Sequence, residues 1–416
     1  MKALAVARPE IGEEEVEAAA AVLRSGWLMQ GPRTQAFEAA FRDRVGAGFA
    51  CATSNCTSAL HLSLLAVGVR PGDVVVAPTH TFIATANAVR MCGAEPVFAD
   101  LAPGSPNVGP EQLARLLAED FAADADGRLV YRHADRLAHG ASPLAATAGR
   151  RGRLAAILVV HQVGTPSDLA GILPLADRHG IPVIEDAACA AGSLVSLDGG
   201  ASFEPVGRPR GRLACFSFHP RKIITTGDGG MITGHDPALD AYVRPRREHG
   251  MTLGTADRHA TGRVVVEDYV DTAFNYRMTD LQAAVGVVQL SRLDAIVAHR
   301  RRLGAAYADA LAAIDGVAAP AEPAWARTNH QSYVVRLAEP ERREAVMLAL
   351  LAQDIHTRVN VRCCHMEPPY RDLWPAGAFT ASERATAEGL ILPLNPDMDE
   401  ADVARVGEAL GRALRG

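Results

Sequence analysis

Residues 214–231 read Ala214-Cys215-Phe216-Ser217-Phe218-His219-Pro220-Arg221-Lys222-Ile223-Ile224-Thr225-Thr226-Gly227-Asp228-Gly229-Gly230-Met231. An apolar stretch of strand length ends at Ser217, whose hydroxyl can bind an anion. A lysine follows five residues later, and then a glycine-rich turn. Backbone amides in such a turn can approach a ligand closely, and a phosphate suits them. The lysine is also singled out by composition. Of the 42 basic residues all but Lys2 and Lys222 are arginines. Arginine supplies charge and paired hydrogen bonds but keeps its proton near neutral pH, whereas a lysine amine can lose it and attack a carbonyl. The competing reading of Lys222 alone is a leftover surface charge. Its neighbours argue for a needed primary amine.

Working outward, short apolar runs alternate with amphipathic stretches over the first 235 residues or so. Val74–Ala77, Ala155–Val160 and Pro182–Asp186 read as buried parallel strands, each apolar until a turn or polar residue stops it. Helical patterns lie between, at Ala59–Val67, Glu111–Glu119 and Leu169–Arg178. This alternation predicts an α/β fold, with functional loops at the carboxyl ends of the strands. Thr279-Asp280 reads as a helix start, leading past Gln289 toward a smaller domain, and a last helix is expected over Glu400–Leu414. The Ala/Arg/Gly-rich stretch from about 122 to 150 reads as a surface insertion.

Two further clusters bear on chemistry. Pro182-Val183-Ile184-Glu185-Asp186 puts an acid at the end of a buried strand, where a carboxylate is costly unless it meets a cation. The protonated ring nitrogen of pyridoxal phosphate is such a cation. The competing reading is a cap for a helix that follows. Ser54-Asn55-Cys56-Thr57-Ser58 turns into a helix, so Thr57, Ser58 and free amides face a helix N-terminus suited to an anion. An ordinary cap by Thr57 fits the same geometry.

Composition bounds the rest. The chain has 416 residues, 48% hydrophobic and 22% charged, which suits a globular protein of one large domain plus a smaller one. A net charge of −6 without a basic block gives no sign of a nucleic-acid or membrane-surface partner. There is no apolar run of membrane-spanning length and no signal-peptide pattern. Seven cysteines without a C-x-x-C pair argue against a disulfide framework or a zinc site and favour a cytoplasmic enzyme with reduced thiols. Cys363-Cys364-His365 has a metal-like look, but adjacent ligands chelate one ion poorly, so no metal is expected.

Five motifs now line up: TSNCTSALHLSLLAVGVRPGD (53–73), PTHTFIATANAV (78–89), VIEDAACAAGS (183–193), CFSFHPRKIITTGDGG (215–230) and FNYRMTDLQAAVGVVQL (274–290). In this order they resemble the DegT/StrS aminotransferases, over nearly the whole chain. The resemblance implies a fold-type I pyridoxal-phosphate enzyme. Its large domain, residues 1–290, has a mostly parallel central sheet flanked by helices and an N-terminal helical segment. A smaller α/β domain covers 291–416. It implies that Lys222 carries the cofactor as a Schiff base and that Asp186 pairs with the ring nitrogen. Phe82 would stack on the ring, and Thr57, Ser58 and Ser217 would hold the phosphate. Asn275 would reach the phosphate of the neighbouring subunit in a homodimer with shared active sites; an ordinary turn asparagine before a helix is the competing reading.

The amino donor implied is glutamate or glutamine, and the acceptor a keto-sugar, free or nucleotide-linked, or a keto-cyclitol. A sugar dehydratase of the same family and a non-catalytic pyridoxal-phosphate binding protein are the alternatives. The lysine argues against the dehydratase type in which histidine replaces it, and the cysteine spacing does not favour the iron–sulfur type. The chain departs from the family pattern in four places. Cys189 stands near the cofactor's phenolic oxygen where glutamine or histidine is common. Arg221 and Ile223 flank the lysine, the 122–150 stretch is long, and Thr357–His365 lacks the usual tyrosine and proline.

Overall fold

The computed structural model describes residues 2–147, 149, 151–252, 266 and 268–415. Its centre is a seven-stranded sheet. The order across it is Phe49–Thr53, Gly230–Gly234, Leu213–Ser217, Val183–Asp186, Leu154–Val160, Val74–Pro78 and Glu95–Ala99. Neighbours from Leu213–Ser217 to Glu95–Ala99 are parallel, and only Gly230–Gly234 runs against both strands beside it. The mostly parallel sheet expected from the sequence is therefore present.

The strands are mostly apolar because both faces are covered. Ala50, Ala52, Val74, Val76, Ile157 and Val159 enter one core with Phe37 and Phe41 of the helix Pro32–Val45, with Leu113 and Leu117, and with Leu169 and Ile172. The alternate residues Phe49, Cys51, Val75, Ala77, Ala156 and Leu158 enter a second core with the helix Cys56–Ala66 and with Ala88, Val89, Leu239 and Val243. A period of two thus feeds two cores rather than one core and solvent. Three helices lie close to their expected ranges, at Pro110–Asp120, Leu169–Asp177 and Glu400–Arg415. Thr279 caps Asp280–Ser291 through a reciprocal bond with Gln282, as its sequence suggested, and Leu293–Leu311 continues the chain. No single helix among the described residues is long and apolar enough to cross a membrane.

A third core gathers the C-terminal elements. The strands Val317–Ala318, Tyr333–Leu337, Gly389–Leu392 and Arg358–Val359 form an antiparallel sheet. The helices Leu293–Leu311, Arg343–Leu351 and Glu400–Arg415 contribute Leu303, Leu350 and Leu410 to the same cluster. Leu4 belongs to it too, since its backbone bonds Asp354 and His356 at 2.8 and 2.9 Å.

The segment expected as a surface insertion is anchored instead. Phe121–Ala123 and Leu129–Tyr131 pair as a hairpin, and Leu129, Tyr131, Leu137 and Leu144 are buried in the main core. Ser142 Oγ donates to the buried Glu95 carboxylate at 2.8 Å. These apolar residues are spaced irregularly among Ala, Arg and Gly, so no period gave them away. Positions 148 and 150 of this stretch lie outside the described residues.

Candidate active site

Lys222 sits in a loop that its neighbours fix from below. Phe218 is fully buried against Phe37 and Phe41, with ring centroids 5.1 and 5.6 Å away. Its carbonyl accepts from Thr226 N at 3.0 Å and Thr225 Oγ1 at 2.8 Å, which folds the loop back on itself. Ile223 and Ile224 are buried, so the backbone on the far side of the lysine is held by packing. Lys222 Nζ donates to Cys189 Sγ at 3.1 Å. Burial disfavours the charged ammonium. Cys189 and Asp186 nearby more than reverse that, and the lysine is held above its usual range.

Asp186 ends its strand and is 5% exposed. Thr85 Oγ1 donates to Oδ2 at 2.8 Å and Ala188 N to Oδ1 at 3.1 Å. A turn follows, not a helix, so the helix-cap reading of this carboxylate is overturned. Burial pushes its pKa up, and the bonds from Thr85 and Ala188 and the positive charge of Lys222 only partly offset this. A carboxylate so placed gains from a further cation.

The serine-rich turn supplies the opposite chemistry. The helix starts at Cys56, not at the expected Ala59, and its cap is Asn55 rather than Thr57. Asn55 Oδ1 accepts from Ser58 N at 2.9 Å, and Ser54 Oγ lies 3.1 Å from Ser58 Oγ. Thr57 is half-buried in the first turn, where backbone amides have no partner inside the helix. Register brings Ser217 to the same place. Gly230 pairs with Thr53 on one side and Ser217 on the other. A Cβ on Gly230 would lie 2.5 Å from the Asn55 backbone, so glycine alone lets the lysine loop and the cup meet.

Phe82 is 63% exposed, in the turn before the helix Ala84–Met91, with its carbonyl accepting from Thr85 N at 3.1 Å. An exposed aromatic ring three residues before Thr85, which bonds the buried Asp186, suits a flat ligand. Asn275 is exposed, between Phe274 and Tyr276, which stack at 4.8 Å. Tyr276 ties inward, its carbonyl accepting from Ser54 N at 2.7 Å and its hydroxyl lying 3.1 Å from His61 Nδ1. Asn275 instead bridges Glu248, and no described contact joins it to the cup of its own chain.

Thr85, Asn329 and Gln331 were missed by sequence reasoning. Asn329 is fully buried, and its Nδ2 donates to the carbonyls of Cys189 at 2.9 Å and Ala191 at 2.8 Å. Gln331 Nε2 donates to the Arg221 carbonyl at 2.9 Å. One short segment therefore holds both the Cys189 turn and the Lys222 loop. Thr85 lies inside a recognised motif, but nothing local marks its reach to Asp186. Cys363, Cys364 and His365 do not converge on one point. Cys363 Sγ faces Thr386 Oγ1 at 3.2 Å, Cys364 Sγ donates to the Thr81 carbonyl at 3.4 Å, and His365 lies between Thr79 and Glu383.

Solved aminotransferases are similar to this chain. The chain is similar over its full length to the aminotransferase TlmJ from Streptoalloteichus hindustanus, at 31% identity and a TM-score of 0.81, covering 99% of that protein. It is 27% identical to S. venezuelae DesV, solved in complex with a ketimine intermediate, with 99% of this chain and 98% of that one covered and a TM-score of 0.82. It is 29% identical to DesI, solved in the presence of its TDP-sugar product, with 100% and 94% covered and a TM-score of 0.80. These likenesses agree with the fold-type I architecture and with an aminotransferase activity. The model of the DegT/DnrJ/EryC1/StrS aminotransferase family matches residues 9–125 and 129–411, and the chain belongs to that family.

Proposed function

We propose that the protein is a pyridoxal-phosphate-dependent aminotransferase. In this reading it moves an amino group from glutamate or glutamine to a keto-sugar, free or nucleotide-linked, or to a keto-cyclitol. One observation carries the reading. At the carboxyl edge of one sheet, a lysine lies near both a buried carboxylate that forms no ion pair among the described residues and the first residue of a hydroxyl-bearing helix N-terminus. These features fit the cofactor's own charges, cation to Asp186 and anion to the cup. The TDP-sugar product in whose presence DesI was solved supports a sugar acceptor.

Pyridoxal phosphate, when bound, supplies an electron sink for charge developing at the substrate carbon. The protein's residues do the rest. Lys222 Nζ holds the cofactor covalently, then takes the proton from the α-carbon of the donor and returns one to the acceptor carbon. Asp186 keeps a positive charge opposite its carboxylate. Thr85 and Ala188 fix both carboxylate oxygens, so Asp186 stays oriented throughout. Thr57, Ser58 and Ser217 bind the phosphate, Phe82 covers one ring face, and Cys189 stands beside the lysine. Asn275 completes the site of a second copy, which makes the working unit a homodimer. Residues 1–290 form the cofactor domain and 291–416 the smaller one. A cytoplasmic setting belongs to the same reading, supported by an odd cysteine count without a C-x-x-C pair.

The test is optical. Glutamate or glutamine should convert the cofactor's absorption to that of its aminated form, and a keto-sugar or keto-cyclitol should restore it. A cofactor spectrum that no amino donor alters would overturn catalysis and leave a binding protein.

A further inference from the structure

Six of the seven cysteines are buried, and Cys189 alone among them is partly open. Burial pushes Cys51 up to about 11 and Cys92, Cys363 and Cys364 up to about 12, and it also raises Cys56 and Cys215. Thiols of that kind are slow to oxidise, because the thiolate is the reactive form. Cys189 differs in its neighbour as well. Its sulfur lies 3.1 Å from Lys222 Nζ, and Asn329 and Gln331 hold the two loops that carry the pair. A primary amine so close to an oxidisable sulfur is a preset reaction partner.

We propose that Cys189 and Lys222 form a peroxide-responsive modification site, in which an S–N link between them closes the site to its cofactor until a thiol reduces it. This rests on the reading of Lys222 as the cofactor-bearing amine. The peroxide takes two electrons from the Cys189 sulfur; its O–O bond breaks, the thiol becomes a sulfenic acid and water leaves. The Lys222 amine then attacks that sulfur, the S–O bond breaks, an S–N bond forms, and the hydroxyl departs as water with a proton from nitrogen. Sulfenic acids undergo this condensation with nitrogen nucleophiles as well as with thiols. One external thiol cleaves S–N, freeing the amine and leaving a mixed disulfide, and a second releases the Cys189 thiol. Cofactor already joined to Lys222 removes the nucleophile, so the loaded protein is protected.

The full-length chain, stripped of cofactor, should be treated with hydrogen peroxide and then offered pyridoxal phosphate. Intact mass should fall by two hydrogen atoms, and digestion should yield a joined peptide pair containing Cys189 and Lys222. Cofactor uptake, read by absorption, should be lost and then recovered on adding dithiothreitol. Cys189→Ser should take up the same amount before and after peroxide, and loaded wild-type protein should form no link. Oxidation of Cys189 to sulfinic acid with Lys222 unlinked would overturn the proposal, as would equal peroxide-induced loss of uptake in Cys189→Ser. The link is read by mass alone. A protein that forms it yet never takes up pyridoxal phosphate therefore counts against the functional reading and for the linkage.

Discussion

At the scale of single residues, the site turns on a primary amine that nothing else can replace. Lys2, the other lysine, is exposed and pairs with Asp402. Lys222→Ala should abolish the borohydride-reducible link to pyridoxal phosphate. Lys222→Arg should do the same although it keeps the charge, because a guanidinium does not give up its proton here. A reducible link or full turnover in either variant would remove the central assignment. Asp186→Asn should still bind cofactor but lose turnover by roughly a hundredfold, the usual scale for deleting a charge-stabilising group. Its neighbour gives a finer test. The Thr85 hydroxyl lowers the Asp186 pKa against the upward push of burial. Thr85→Val should therefore raise it further and shift the acid limb of kcat to higher pH. An unmoved limb with a lower rate would mean that Thr85 acts only on packing. Lys222 was legible in the sequence because lysine is so rare there. Thr85, 101 positions from Asp186, was not, since only the folded sheet brings them together.

Among elements, the parallel strands were the most legible because burial on both faces leaves an uninterrupted apolar run. The helix after the cup was placed three residues late. Cys56, Thr57 and Ser58 look like a loop unless one knows that Asn55 caps them. What local patterns could not show is how elements are fastened, and Glu38 is an instance. From the helix Pro32–Val45 its Oε1 accepts from Ala52 N at 2.8 Å and from Arg247, and its Oε2 accepts from Arg244 at 2.7 Å. Arg247 also donates to the Ala52 carbonyl at 2.7 Å. Glu38 and Arg247 are both buried. Removing one partner of such a pair leaves a charge uncompensated, so Glu38→Gln should cost about 3–5 kcal/mol in urea unfolding at neutral pH. Burial alone would raise the Glu38 carboxyl, but Arg247 and Arg244 hold it below its usual range. Its contribution is therefore present above the unfolded carboxylate pKa and is lost as pH falls toward the lower folded value. Wild-type stability should fall more on acidification than that of Glu38→Gln, and parallel curves would show that the pair is not coupled to folding.

For the whole molecule, the question is what surrounds the candidate site. Part of the answer comes from the C-terminal elements. Cys364 N donates to the Thr79 carbonyl at 2.7 Å, Asn360 contacts His80 Nε2 at 3.2 Å, and Tyr370 donates to Asn87 at 2.9 Å. The divergent Thr357–His365 segment therefore braces the turn that carries Phe82, a relation that no sequence window could reveal. The rest of the answer concerns Asn275, which faces outward between two inward-packed aromatics. If it serves a partner's phosphate cup, the interface is isologous and one dimer holds two equivalent shared sites. An inactive Lys222→Ala chain and an inactive Asn275→Asp chain, co-expressed with different tags, should then restore activity when purified as heterodimers. One site collects both damaged residues and the other keeps both intact ones, so about half the wild-type activity per dimer is expected. Aspartate is the informative substitution because its charge repels phosphate, whereas alanine only removes a contact. Heterodimers that stay inactive, when Asn275→Asp homodimers are folded and inactive, would place Asn275 in the service of its own chain. The shared-site arrangement would then fail while the lysine chemistry stood.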